Sequence, residues 1–193
     1  MSNINVVVAY HSGYGHTAKV AEAVAAGAKS WHTEVSVEVI KVDSIDEAGW
    51  AKLDKAQAII FGTPTYMGGV SAQFKAFADA TSKQWMAGTW KNKIAAGFTN
   101  SGGYSGDKLS SLQYLATLAA QHSMIWVGQG ETAPHKQGLE QTSPDDINRI
   151  GSWLGLMTQS NNESPEIQPP QGDLQTARLF GKRVAEITSK FNK

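Results

Sequence analysis

The chain of 193 residues contains no cysteine. That excludes a disulfide framework, a thiolate metal site and a catalytic thiol. Net charge is missing as well: 17 Lys plus Arg balance 17 Asp plus Glu, so no bulk field draws the protein to nucleic acid or to an anionic membrane. Long apolar runs are absent. Stretches such as 6–10 and 58–61 fall far short of the roughly 20 residues that span a bilayer. The opening Met1-Ser2-Asn3 shows neither a basic leader nor a small-residue cleavage site. These absences lead to the expectation of a cytoplasmic protein with small-molecule partners, no nucleic acid and no integral membrane segment. The composition, 41% hydrophobic and 18% charged, is that of an ordinary globular chain, and the length suits one domain over 1–193.

What is present is an alternation of two periodicities. Residues 4–10 are β-rich, almost continuously apolar and followed by turn formers, the pattern of a strand buried on both faces. Over 16–29, Val20, Ala21, Val24, Ala25 and Ala28 recur at three-to-four spacing, which predicts a helix packed closely on a sheet. Val35, Val37 and Val39 alternate within a second strand over 34–42, with one less buried face. A short helical connection over 46–53 leads to a buried third strand at 56–62, which Thr63-Pro64 stops. Ser71 caps the next helix, with Phe74, Phe77 and Ala78 inward. A fourth strand at 94–99 precedes a helix that carries Leu109, Leu112, Leu115 and Leu118, and 124–127 reads as the last strand. The terminal helix, 173–191, turns Ala177, Gly181, Val184 and Ile187 to the core. Such a βα alternation requires a parallel sheet covered by helices on both faces, a doubly wound α/β fold. Residues 128–146 and 158–172 resist the scheme, and loops that long in a compact domain serve as binding segments or mobile edges.

Ligands of an open parallel sheet bind at the carboxyl ends of its strands, beside a topological switch point. Three loops there are unusual. Ser12-Gly13-Tyr14-Gly15-His16-Thr17 runs straight into a helix, whose free N–H groups and dipole favour an anion. The spacing Gly13-x-Gly15-x-x-Ala18 also fits the dinucleotide fingerprint. The hydroxyls of Ser12 and Thr17 flank the glycines, however, and suit a terminal phosphate monoester, which has more oxygens to satisfy than a bridging pyrophosphate. A Walker loop is excluded by the missing Gly-Lys-Ser/Thr. The second loop, Thr63-Pro64-Thr65-Tyr66-Met67-Gly68-Gly69, offers a stiff turn, an aromatic ring and two close-approach glycines for a flat heterocycle. The third, Thr99-Asn100-Ser101-Gly102-Gly103-Tyr104-Ser105-Gly106, supplies hydrogen-bond donors and room for a ring edge.

With these motifs the sequence resembles the flavodoxin-like NAD(P)H:quinone oxidoreductases of the WrbA type. The likeness is carried by Ser12-x-Tyr14-Gly15-His16, by Phe61-Gly62-Thr63-Pro64-Thr65, by Trp85 within Gln84-Trp85-Met86-Ala87-Gly88, and by Ala177-Arg178 with Gly181. It implies a five-stranded parallel sheet in the order 2-1-3-4-5. It further implies FMN as cofactor, with its phosphate on Ser12, Gly13, Tyr14, Gly15, His16 and Thr17. The isoalloxazine would lie against Pro64, Thr65, Tyr66, Met67 and Gly68, and its pyrimidine edge on Asn100, Ser101, Gly102, Gly103 and Ser105. NAD(P)H would donate a hydride to the flavin and a quinone would collect two electrons in a ping-pong cycle, with His122 and Trp85 at the substrate face. The family's flavin is often completed by a neighbouring subunit, which implies a homodimer or homotetramer. Two departures stand out. Where the family places two histidines before Gly-Met, this chain has Gln121-His122-Ser123-Met124, and only 41–55 joins the second strand to the third in place of a longer insertion.

Bland readings stand beside these. His122 continues the spacing of Leu115 and Leu118, as a packed core histidine would, and Trp85 fits a core or subunit interface. Trp31, Trp50, Trp90, Trp126 and Trp153 are assigned to packing. His11 and His16 flank the first loop without a carboxylate at ligand spacing, so no metal site is expected. His32 and His135 are expected at the surface, and Asp107 as the cap of its helix. Other functions remain open: a flavodoxin-type electron carrier, although such carriers are strongly acidic and this chain is neutral; a non-catalytic FMN-binding regulatory protein; and a dinucleotide-binding dehydrogenase with Glu38 or Asp43 as its ribose acid.

Overall fold

The computed structural model describes residues 3–133 and 143–192. His135 and part of the 128–146 stretch lie outside them. In chain order, the elements are β1 (Ile4–Tyr10), α1 (His16–Lys29), β2 (Val35–Lys41), α2 (Glu47–Lys55), β3 (Ala58–Tyr66), β4 (Gly69–Val70), α3 (Ala72–Ala80) and α4 (Ser82–Ala87). After them come β5 (Ile94–Ser101), α5 (Lys108–Gln121), β6 (Ile125–Trp126), β7 (Leu156–Gln159) and α6 (Gln171–Phe191). The sheet has seven strands rather than five, but its spine runs β2-β1-β3-β5-β6 and every pairing along it is parallel. This is the expected 2-1-3-4-5 order once β4, a two-residue antiparallel extension of β3, is set aside.

The last strand departs from expectation in an instructive way. It is split: β6 pairs with Ile94 and Ala95 at the start of β5, whereas β7 pairs with Phe98 to Ser101 at its end. A single edge position is thus filled by two pieces about 30 residues apart in the chain, and β7 comes partly from the 158–172 stretch that has no strand signal of its own. Thr63-Pro64 also fails to stop the third strand, which continues to Tyr66 with Pro64 opposite Asn100. The reason is alternation. The Gly62 carbonyl accepts from His11 N toward β1, so the backbone groups of Pro64 point the same way. Beyond Gly62 no β1 residue is paired there, so the missing N–H costs no ladder bond.

Two hydrophobic layers sandwich the sheet. On one face α1 and α6 bury Val20, Val24, Ala177, Phe180 and Val184 against Val6, Val8, Ile60 and Phe98. On the other, α2, α3 and α5 bury Leu53, Phe74, Phe77, Leu112 and Leu115 against Val7, Ile59, Phe61 and Ala95. α1 and α6 approach closely because a glycine from each sits at the crossing: a Cβ on Gly27 would lie 1.9 Å from the Arg178 carbonyl, and one on Gly181 the same distance from that of Val24. The expected cap at Ser71 is formed, with its Oγ accepting from Phe74 N (3.3 Å), and Asp46 Oδ1 caps α2 by accepting from Gly49 N (2.8 Å). Asp107 differs. It occupies the N-cap position of α5 with φ 52°, and its side chain caps nothing.

Trp153, expected to pack, is exposed instead, and so is Leu109. Leu109 lies in the first turn of α5, so the stripe is buried only from Leu112 onward. Trp90 is fully buried as expected, Trp31, Trp50 and Trp126 pack at the core's margin, and His32 is exposed. No helix of the described residues is long and apolar enough to cross a membrane.

Candidate functional site

The three loops singled out in the sequence meet at one cleft at the carboxyl ends of β1, β3 and β5. Its lining includes Tyr14, His16 and Thr17 from the first loop, Pro64, Thr65 and Tyr66 from the second, and Asn100, Ser101 and Gly102 from the third. A fourth wall, Ser160, Asn161 and Asn162, follows β7. No motif pointed to those three, although the polar 158–172 stretch that contains them had the length of a binding segment.

The first loop is built as an anion cradle. Gly15 is the N-cap of α1 in the left-handed conformation (φ 94°) and lends no side-chain cap. Ser12 Oγ instead accepts from Gly15 N (3.1 Å) and Ala18 N (3.2 Å). Helical geometry gives the next amides, of His16 and Thr17, no intrahelical acceptor, and among the described residues none meets them. Ser12 and Gly13 are not among the residues that line the cleft, and a Cβ on Gly13 would lie 2.5 Å from the Tyr66 hydroxyl. His16 Nε2–H donates to the Glu163 carbonyl (2.8 Å), Lys19 pairs with Glu166 (2.8 Å), and Pro165 packs where a Gly15 side chain would be. Residues 163–166 therefore strap over the loop. His11 is turned inward onto Ser71 Oγ (2.8 Å), and burial lowers its proton affinity.

The second and third loops are tied together beneath the cleft. Thr65 Oγ1 lies 2.8 Å from both Thr99 Oγ1 and Ser111 Oγ, joining β3, β5 and α5. Asn100 Oδ1 accepts from Thr158 Oγ1 (2.8 Å) and Ser160 Oγ (3.0 Å), joining β5 to β7. At the mouth, Tyr14 and Tyr66 meet edge to face with ring centroids 6.2 Å apart, and burial, then Tyr14, raises the Tyr66 phenol above its ordinary pKa. Met67, with φ 48°, is fully exposed, Gly68 and Gly103 lie on the exposed rim, and Ser105 faces a separate pocket with Tyr104 and Arg149.

A buried polar network that no sequence signal announced supports the third loop. Arg149 donates to Asp173 through Nε (2.7 Å) and a terminal nitrogen (3.0 Å), and both side chains are only 2% exposed. Arg149 also reaches the Tyr104 hydroxyl (2.9 Å) and Gln159 Oε1 (3.0 Å), while Asp173 accepts from Gln159 N (2.8 Å). Burial pushes the Asp173 carboxyl up, and Arg149 works against that. Lys108, fully buried at the start of α5, donates to Ser101 Oγ (2.9 Å) and to the Gly103 carbonyl.

His122 and Trp85 are brought together, but in a second cleft with Thr81, Ser82 and Leu118. His122 ends α5, whereas the first cleft lies at the helix's start, and 14 residues at ~1.5 Å each separate the two by about 20 Å. Thr81 Oγ1 donates to the Ala78 carbonyl (2.7 Å) and so accepts from His122 Nε2–H (2.8 Å). The imidazole rests on Trp90 at 4.6 Å, and its Nδ1 is buried without a partner among the described residues. Burial lowers its pKa.

By sequence, residues 3–138 fit the model of the NADPH-dependent FMN reductases. The chain belongs to that family. Within these FMN reductases it is of the flavodoxin-like WrbA type. It is 44% identical to the WrbA-like flavodoxin of Agrobacterium tumefaciens, whose crystal structure superposes with a TM-score of 0.76 over 97% of this chain and 98% of that one. It is 47% identical to flavodoxin FldP of Pseudomonas aeruginosa, over 94% of this chain and 95% of the relative. It is also 31% identical to an NAD(P)H dehydrogenase (quinone) of Archaeoglobus fulgidus, over 96% and 97%. FMN is the cofactor of the family, and the cradle fits it: a helix opening with acceptor-free amides and flanking hydroxyls for a phosphate, and a slot between two glycine-bearing loops for a ring.

Proposed function

We propose that the protein transfers two electrons from NAD(P)H through FMN to a quinone. The observation that carries this reading is the convergence of three strand-end loops on one cleft, beside a helix N-terminus whose first amides have no partner among the described residues. Ser12, Gly13, Tyr14, Gly15, His16 and Thr17 hold the phosphate with neutral donors. Pro64, Thr65 and Tyr66, with Met67 and Gly68 beyond them, bound one side of the ring, and Asn100, Ser101 and Gly102, with Gly103 beyond them, the other, while Ser105 faces its separate pocket. Asn100 spends its oxygen on Thr158 and Ser160, which leaves its amide N–H groups for a carbonyl of the ring. Bound FMN supplies an acceptor for hydride and a donor of two electrons. Tyr14 and Tyr66 present exposed aromatic faces at the mouth, the surface on which a nicotinamide or a quinone would stack in turn.

His122 and Trp85 lie too far from the cleft of their own chain to touch its ligand, so the proposal assigns them to the flavin of a second copy. Supporting this, α4 buries none of its residues, and Trp85 (58% exposed) and Met86 (81%) stand on it without cover. A homodimer or homotetramer follows.

A second reading, a flavodoxin-type electron carrier, is favoured by the relative named flavodoxin FldP. One experiment separates the two. Protein loaded with FMN is mixed anaerobically with NADH or NADPH, flavin absorbance is followed, and benzoquinone is then added. Prompt bleaching followed by recovery supports the reductase. Binding without bleaching leaves the carrier, and failure to bind FMN removes both.

A further inference from the structure

Lys108 is a buried cation in a place that disfavours one. It is the first residue of α5 and fully buried, where the helix dipole presents partial positive charge. Its ammonium meets the Ser101 hydroxyl and the Gly103 carbonyl, and among the described residues no carboxylate pairs with it. The neighbouring charges cancel without it. Arg149 and Asp173 form a closed ion pair, the Tyr104 hydroxyl is bound to Arg149, and Asp107, the preceding residue, turns its carboxylate to solvent. One positive charge is therefore left over directly behind the loop whose Asn100, Ser101 and Gly102 line the cleft. Leaving a charge buried and unpaired costs several kcal/mol in ordinary cases, so the arrangement calls for a negative charge on the far side of that loop.

We propose that Lys108 stabilises the negative charge that FMN gains on two-electron reduction, acting through Ser101 and Gly103. The inference rests on the FMN seat proposed above and makes Lys108 a positioning residue, since it does not line the cleft. In the reductive half-reaction NAD(P)H loses a hydride and leaves as NAD(P)+. The ring system, gaining two electrons and one proton, then carries one extra negative charge until a quinone takes its two electrons and that proton together with a second proton from water. Lys108 faces that charge when protonated. Burial lowers its pKa to about 8, with Asp173 holding it up and Arg149 pressing it down. Arrival of negative charge raises that value again, so reduction above pH 8 must draw in a further proton.

The test is the midpoint potential of the FMN holoprotein between pH 6 and 10, for the natural chain and for Lys108→Met, followed by spectroelectrochemistry. The natural chain is expected to show, above pH 8, an additional tenfold fall in the reduction equilibrium per pH unit, about 30 mV for two electrons. Lys108→Met should lack this steeper segment, and at pH 7 its equilibrium should lie about tenfold toward the oxidised form. If Lys108→Met fails to fold or to retain FMN, the profile of the natural chain decides alone, and no extra proton uptake above pH 8 overturns the proposal. Superimposable profiles for the two proteins overturn it as well. Failure of the natural chain to bind FMN would instead overturn the seat.

Discussion

Asp173→Asn is the substitution by which the buried network can be judged. In the natural chain the carboxylate accepts from Arg149 twice, at 2.7 and 3.0 Å, and from Gln159 N at 2.8 Å, with both charged side chains 2% exposed. The variant keeps shape and volume but leaves the guanidinium buried beside a neutral amide that can accept on only one atom. Breaking a buried pair by removing one partner costs about 3–5 kcal/mol, which for a chain of this size lowers the melting temperature by roughly 6–20 °C. The damage should also reach the cleft. Gln159 ends β7, whose Thr158, with Ser160 beyond it, fixes the Asn100 side chain, so FMN affinity should fall as well. Urea unfolding of the FMN-free protein gives the first quantity, and quenching of FMN fluorescence the second. The double variant Asp173→Leu with Arg149→Met separates the price of an unpaired charge from the worth of the pair. Removing both charges should recover most of the loss, because a buried pair and a well-packed apolar pair differ little. A single variant within 1 kcal/mol of the natural chain would refute the reasoning.

Three further outcomes are expected. Gly15→Val places a Cβ 2.8 Å from Pro165 Cγ at a residue with φ 94°, and should weaken FMN binding roughly 100-fold, the loss of ~3 kcal/mol of charged hydrogen bonding; unchanged affinity by fluorescence titration would remove the phosphate from this loop. Gly181→Ala drives a methyl to 1.9 Å from the Val24 carbonyl and should lower stability by about 1–3 kcal/mol, while leaving FMN affinity of the folded protein as it was. His11 and His122 have pKa values lowered by burial. The unfolded chain therefore takes up their protons first as pH falls, and stability present above pH ~6.5 is lost as acid carries the solution through the folded values. His11→Gln with His122→Asn should flatten the decline of the urea midpoint between pH 7 and 5.

What the sequence discloses here follows from how the chemistry is distributed along it. The three loops proposed to hold the phosphate, the ring and its edge are each a run of adjacent residues following an apolar strand, so their composition and their location are read together, and the structure brings all three to one cleft. The failures share the opposite property. β7 completes an edge that β6 begins, with residues 127–155 between them, and a strand pattern of four residues in a polar stretch carries no signal until β5 supplies its partner. Pro64 reads as a stop in the sequence because the rule for proline in strands is local, whereas its tolerance depends on where a different strand ends. Arg149 and Asp173 are 24 residues apart in the chain, and either alone is an ordinary polar residue. His122 shows why two sequence readings need not exclude each other: it is packed on Trp90 and also lines a cleft beside Trp85, because the last turn of a helix can close a core on one side and face an open surface on the other. Contiguous loops therefore disclose what this protein binds, while the groups that set how firmly the cleft is held, and with what charge behind it, emerge only when the sheet brings distant segments into contact.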